Sequence, residues 1–206
     1  MTFKTDQENF WAEEFGKEYI DRNRGKKLLA KNLDFFVKAL KSTQNVKNCI
    51  EFGANIGMNI KALQLLFPEQ EHHAIEINSH AVKELKKIIS EDNIYEGSII
   101  EFDPKKVFDL VIIKGVLIHI NPKELVNVYD KLFASCKKYL LVAEYYNPLP
   151  VSIPYRGQMD RLFKRDFAGE IMDRHPNMKI IDYGFAYKRD PNFPQDDITW
   201  FLMEKK

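Results

Sequence analysis

Residues 46–57 read V-K-N-C-I-E-F-G-A-N-I-G. The apolar run over 49–52 has the length of a short buried strand. It breaks at Gly53, Asn55 and Gly57, and a helical pattern begins at once. A strand, a glycine-containing turn and a helix in this order form a nucleotide-binding corner. The turn needs positive φ, which Gly adopts freely and Asn tolerates. The first N–H groups of the helix then face whatever sits in the turn. The next strand, over 73–77, carries Glu76 at its tip, where a carboxylate accepts hydrogen bonds from ribose hydroxyls. A third strand ends in Gly97-Ser98. A strand–helix corner packed without a ligand is the alternative. The acids Glu51 and Glu76 and the third strand tip favour a nucleotide-type ligand.

The rest of the chain alternates in the same sense. A helix over 6–22 carries Phe10, Trp11, Phe15 and Tyr19, and serves either as packing or as a lid. A second amphipathic helix presents Leu29, Leu33, Phe36, Val37 and Leu40. After the corner, a helix over 58–67 stops before Pro68, and Ser79 caps the next. The run 107–113 is apolar except for Asp109 and suits a parallel strand covered on both faces. Asn121-Pro122 opens a helix, and a fifth strand spans 139–144. Residues 145–165 hold three prolines and a glycine and read as an irregular loop insertion. Asp166 caps a helix to 174, and strands over 178–188 and 198–203 pair at one sheet edge. The expectation is one α/β domain over 1–206, with a helical cap over 1–43 and a core over 46–206. Its sheet is mostly parallel, doubly wound and seven-stranded, with an antiparallel edge hairpin.

A formal net charge of +1 and the lack of a basic arm exclude electrostatic capture of nucleic acid. Cys49 and Cys136 sit in apolar patterns and read as buried thiols of a reducing cytosol. The first residues, M-T-F-K-T-D-Q-E-N-F, lack the apolar core of a secretory signal. No run approaches the ~18 apolar residues of a membrane span. A soluble, cytoplasmic protein without membrane insertion is expected. His72 and His73 point to opposite strand faces, and His80 and His175 lack ligand spacing, so no metal is expected.

The dinucleotide fingerprint is G-x-G-x-x-G. Here the glycines are four apart and Asn55 replaces the middle one. Glu51 would repel a pyrophosphate in the turn and would suit an ammonium group. A ligand with a ribose at one end and an amino acid at the other satisfies both acids, and S-adenosylmethionine is that ligand. The segment E-F-G-A-N-I-G resembles motif I of class I S-adenosylmethionine-dependent methyltransferases, which implies their Rossmann-like fold and S-adenosylhomocysteine as product. The cofactor set so implied is Trp11, Glu51, Gly53, Ala54, Asn55, Gly57, Glu76, Ile77, Gly97, Ser98, Lys114 and Gly115. Ser98 departs from the acid common at its position.

A closer resemblance covers nearly the whole chain. It is carried by F-W-A-E-E-F-G-K-E-Y-I-D-R-N from Phe10, K-G-V-L-I-H-I-N-P from Lys114, and A-E-Y-Y-N-P from Ala143. To these add P-Y-R-G from Pro154, R-L-F-K-R-D-F-A-G-E from Arg161 and D-P-N-F-P-Q-D-D-I-T-W-F from Asp190. These segments resemble the pseudaminic acid biosynthesis-associated methylases. The resemblance implies methyl transfer to O or N of a sugar-derived acceptor, free or nucleotide-activated, in nonulosonic acid or surface-glycan assembly. A cofactor-binding scaffold without turnover is the alternative, and the oligomeric state stays open.

His119, after the fourth strand, is the first candidate for a general base; a packing histidine is the other reading. Tyr145 is a second catalytic candidate. Tyr19, Tyr146, Asn147, Tyr155, Arg156, Arg161 and Lys164 make up the candidate acceptor pocket. Their cations match the carboxylate of a nonulosonic acid or the phosphate of its activated form. Solvated surface charge is the competing account.

Overall fold

The computed structural model describes residues 3–13, 25–155 and 157–206. Five strands run parallel: β1 (Asn48–Phe52), β2 (Glu71–Glu76), β3 (Ile94–Glu96), β4 (Phe108–Lys114) and β5 (Cys136–Glu144). A separate antiparallel hairpin follows, β6 (Val151–Tyr155) and β7 (Gln158–Lys164). The chain then returns to the main sheet through β8 (Met178–Ala186) and β9 (Ile198–Lys205). β9 lies antiparallel between β5 and β8, giving the order β3-β2-β1-β4-β5-β9-β8. This is the expected mixed α/β, Rossmann-like sheet, mostly parallel and with an antiparallel edge.

Helices cover both faces: α1 (Asp6–Ala12), α2 (Lys26–Ala39), α3 (Met58–Leu66), α4 (Ser79–Leu85), α5 (Leu125–Ser135) and α6 (Phe167–Arg174). Successive strand residues point to opposite faces. Val111 and Ile113 therefore join Val128, Leu132 and Ile171 on the α5–α6 side. Leu110 and Ile112 join Phe35, Phe36 and Leu63 on the α2–α3 side. Being covered twice is why β4 reads as an unbroken apolar run.

Three local expectations are corrected. Val151–Tyr155 and Gln158–Lys164 pair as a ribbon where an irregular loop was expected. Pro154 fits because a two-stranded ribbon has open edges, and the register shifts between Ile153 and Tyr155, across the proline. Asn78, not Ser79, caps α4, accepting from the N–H groups of His80 and Ala81. The first helix ends at Ala12, where Glu13 turns to extended backbone. Its start is fixed by a capping box between Thr5 and Glu8. No described helix is long and apolar enough to cross a membrane.

Phe36 is fully buried between α2 and the sheet. Phe36→Ala should cost about 3–5 kcal/mol of folding stability, read from a urea unfolding curve.

Candidate functional site

The strand order reverses between β1 and β4, and a ligand crevice is expected outside their carboxyl ends. A cavity of about 200 Å³ lies there. The first turn forms its floor. Gly53 and Asn55 take φ of 77° and 48°, and Gly53 and Ala54 both donate to the Ile75 carbonyl, at 2.9 and 3.0 Å. A Cβ on Gly53 would sit 2.6 Å from Val116, so this glycine is required by the close approach of the loop after β4. Gly57 has a different part. It does not line the cavity, and a Cβ there would strike Leu85 and Ile88, both at 2.9 Å. Gly57 serves helix packing.

Glu76 faces the cavity. Its carboxylate accepts from the N–H of Asn55 at 2.7 Å and of Asn78 at 2.8 Å. The Ile77 N–H is a third backbone donor, so of about four acceptor sites one remains. Burial raises its pKa, and the backbone donors oppose that.

Glu51 lies beneath the floor and is almost fully buried. Asn59 Nδ2 donates to its Oε1 at 2.5 Å, and Oε2 has no partner. Burial pushes its pKa up to about 8, against Asn59 and the charge of Lys114. Lys114 lines the cavity with its Nζ 5.3 Å from the Phe35 ring centroid; burial lowers its pKa. Asn32 of α2 and Asn55 line the same cavity, each with a buried, unpartnered Oδ1. Glu51 is not itself in the cavity lining; the unpartnered Oδ1 atoms of Asn32 and Asn55 there suit an ammonium group, with Lys114 available to a carboxylate. Ala54, Ile77, Gly97, Ser98 and Gly115 also line the space.

Helix α1 closes the cavity from above, and Trp11 lines it. Asn78 Nδ2 donates to the carbonyls of Trp11 and Ala12, both at 3.1 Å. Gln7 donates to the Asp160 carbonyl at 2.9 Å and accepts from Asn121 at 3.1 Å. The first helix is thus both packed and a roof.

His119 lines the cavity and is buried. Its Nδ1 is 2.7 Å from the Arg161 carbonyl. A carbonyl only accepts, so Nδ1 carries the hydrogen and Nε2 keeps the lone pair. Burial drops its pKa to about 4, which leaves the ring neutral near pH 7. Trp11 and Tyr155 flank the ring at centroid distances of 4.5 and 5.2 Å. Glu144 positions the segment, accepting from the N–H groups of Val116 and Leu117 at 2.9 Å each. Burial pushes Glu144 up to about 7.

The acceptor candidates divide. Tyr155 and the Arg161 backbone reach His119, as above. Tyr145 does not line the cavity; it packs against both cores, and Lys164 Nζ lies 5.3 Å over its ring. Tyr146 rests 6.1 Å from Phe201 and lines a separate small dent. Asn147 donates to the Leu149 carbonyl at 2.6 Å. The Arg161 guanidinium lies over Phe10 at 5.6 Å. Phe15, Tyr19 and Arg156 fall outside the described residues. Among the described residues no three His, Cys, Asp or Glu side chains gather to hold a metal.

Five residues of this region were not singled out from sequence: Glu8, Asn32, Asn59, Asn78 and Glu144. Two carried a signal. Thr5 and Glu8 have capping-box spacing, and Glu144 ends an apolar strand. The three asparagines carried none.

No protein-family model matches this sequence, and no curated protein does. Solved structures share its fold. A mitomycin 7-O-methyltransferase superposes with a TM-score of 0.66 at 13% identity, over 98% of this chain and 61% of that one. This chain therefore spans less than two thirds of that relative. A magnesium protoporphyrin IX methyltransferase from Synechocystis PCC 6803, with bound S-adenosylmethionine, gives 0.65 at 12% identity, covering 100% of both chains. An amino pentose methyltransferase from Micromonospora echinaspora, also with bound S-adenosylmethionine, gives 0.63 at 10% identity, over 93% of this chain and 97% of that one. At these identities the likeness is one of fold.

The folded pKa of Glu51, about 8, lies above its ordinary 4.5. Its contribution is complete below 4.5 and is lost as pH rises through 8. Glu144 acts the same way up to about 7. His72 and His119, lowered to about 4, act oppositely, their stabilisation being lost as pH falls below 6.5. Between about pH 7 and 8 Glu51 dominates this set. The urea midpoint should fall across that interval, and Glu51→Gln should flatten the slope.

Proposed function

We propose that this chain is an S-adenosylmethionine-dependent methyltransferase acting on O or N of a small sugar-derived acceptor. The observation that carries the reading is the buried, unpartnered Oε2 of Glu51 under the first turn, with Lys114 beside it. An acid and a base set at the meeting of β1 and β4 match a free amino acid end. Glu76, at the next strand tip, keeps acceptor capacity for a ribose hydroxyl. The acid Glu51 beneath the turn disfavours the pyrophosphate of a dinucleotide. That several neighbours of this fold are described as methyltransferases with S-adenosylmethionine bound supports the same choice.

The cofactor, when bound, supplies an activated methyl group on a sulfonium. The chain's own residues hold and orient it. Glu51, with Asn32 and Asn55, takes the ammonium; Lys114 takes the carboxylate; Glu76 takes the ribose. His119 Nε2 removes the proton of the acceptor, its tautomer set by the Arg161 carbonyl. Trp11 and Tyr155 exclude water around it. Arg161, Lys164 and, outside the described residues, Tyr19 and Arg156 are assigned to the acceptor's anionic group. The nonulosonic acid setting and a cytoplasmic location rest on the sequence segments alone.

A scaffold that binds cofactor without turnover is the second reading. It is favoured by the edge strand, where Tyr183 and Phe185 are 69% and 59% exposed.

Calorimetry should show S-adenosylmethionine binding and NAD failing to bind; the reverse ends the proposal. The incoming ammonium should ionise Glu51, whose proton passes to solvent. Binding should therefore release a proton near pH 7, and affinity should rise with pH toward 8. Labelled cofactor incubated with a nucleotide-sugar extract should yield a methylated sugar by mass spectrometry. His119→Ala should slow that transfer about 10²–10⁴-fold while cofactor affinity changes only a few-fold.

A further inference from the structure

The sheet order fixes where each part of the bound nucleoside lies, given the reading above, on which this inference rests. The tips of β1, β2 and β3 follow one another at about 5 Å intervals. With the amino acid end at β1 and β4 and the ribose at Glu76 of β2, the base falls at the tip of β3. There the cavity is lined by Gly97, Ser98 and Ile99 from the sheet and by Glu8 from α1.

A purine with an exocyclic amine needs an acceptor at that end. Ser98 is already engaged: its hydroxyl donates to Glu8 Oε1 and accepts from the Ile100 N–H at 3.0 Å. Glu8 is 5% exposed. Its Oε2 accepts from the Thr5 N–H at 2.8 Å and the Thr5 hydroxyl at 2.9 Å. Oε1 carries the single bond from Ser98 and has a lone pair left. A buried carboxylate can be left this way in a cavity wall at little cost only if a donor completes it.

We propose that Glu8 recognises the exocyclic amine of the base, so that α1 is a specificity element for the nucleoside as well as a roof. Glu96, which ends β3, does not line the cavity, so the acid at this end comes from another part of the chain. Ser98 and Thr5 hold it from opposite sides, which fixes its reach. A base with an oxo group at the same position would meet the carboxylate acceptor to acceptor and be rejected.

The test compares S-adenosylhomocysteine with its inosine analogue, which carries 6-oxo in place of 6-amino, by calorimetry. Wild type should favour the amino compound about tenfold or more, the size expected for one charged hydrogen bond. Glu8→Gln should shrink the ratio to roughly threefold or less, by the same arithmetic. Gln also serves in a capping box, so the helix start should survive, and the urea midpoint checks this. Should it fall, Glu8→Asp gives an independent reading, because the shorter acid keeps its charge and loses its reach. Ser98→Ala should keep most of the preference, since the acceptor remains. Equal affinity of wild type for both compounds, or full discrimination retained in a folded Glu8 variant, overturns the assignment while leaving the cofactor reading intact. Binding of neither compound to wild type overturns both.

Discussion

A carboxylate with one oxygen satisfied and the other facing no donor is costly in a protein interior. Glu51 is in that state at the point where the sheet reverses direction. Much of the architecture around it is arranged to keep the side chain there. Asn59, the second residue of α3, holds one oxygen, and Lys114 stands on the neighbouring strand. The turn above closes only because Gly53 and Asn55 accept positive φ and because Gly53 lets Val116 approach.

The same device recurs at two other strand ends. Glu76 ends β2 and takes backbone N–H groups from two loops; Glu144 ends β5 and takes N–H groups from the segment leading to His119. Each acid ties a mobile kind of chain to a rigid strand. Glu76 keeps acceptor capacity for a ligand, whereas Glu144 spends its capacity on the backbone. That difference separates a binding residue from a positioning one. It explains how His119, on a short 3-10 turn, is held between two rings and a carbonyl.

The sheet was legible because its signals are periodic: continuous apolar runs over β1, β4 and β5 and helical spacing between them. The corner was legible because glycine and asparagine betray positive φ. Residues 151–164 were misread, since Pro154 argues against a central strand and says nothing of a free ribbon. Tyr146 and Asn147 looked well placed by chain position, but Tyr146 rests on Phe201 and lines a dent apart from the cavity. Glu8, Asn32 and Asn78 bear on the site through contacts far apart in sequence, which no local pattern encodes. Glu8 to Ser98 spans 90 residues.

The amide of Asn78 holds the last carbonyls of α1 while its own oxygen starts α4. One side chain thus joins the end of the roof to the beginning of the helix after β2. Among the described residues, that joint and the Gln7 contacts at the other side hold the roof over the cavity. Loosening this one amide would therefore free this end of the roof and the start of α4 together.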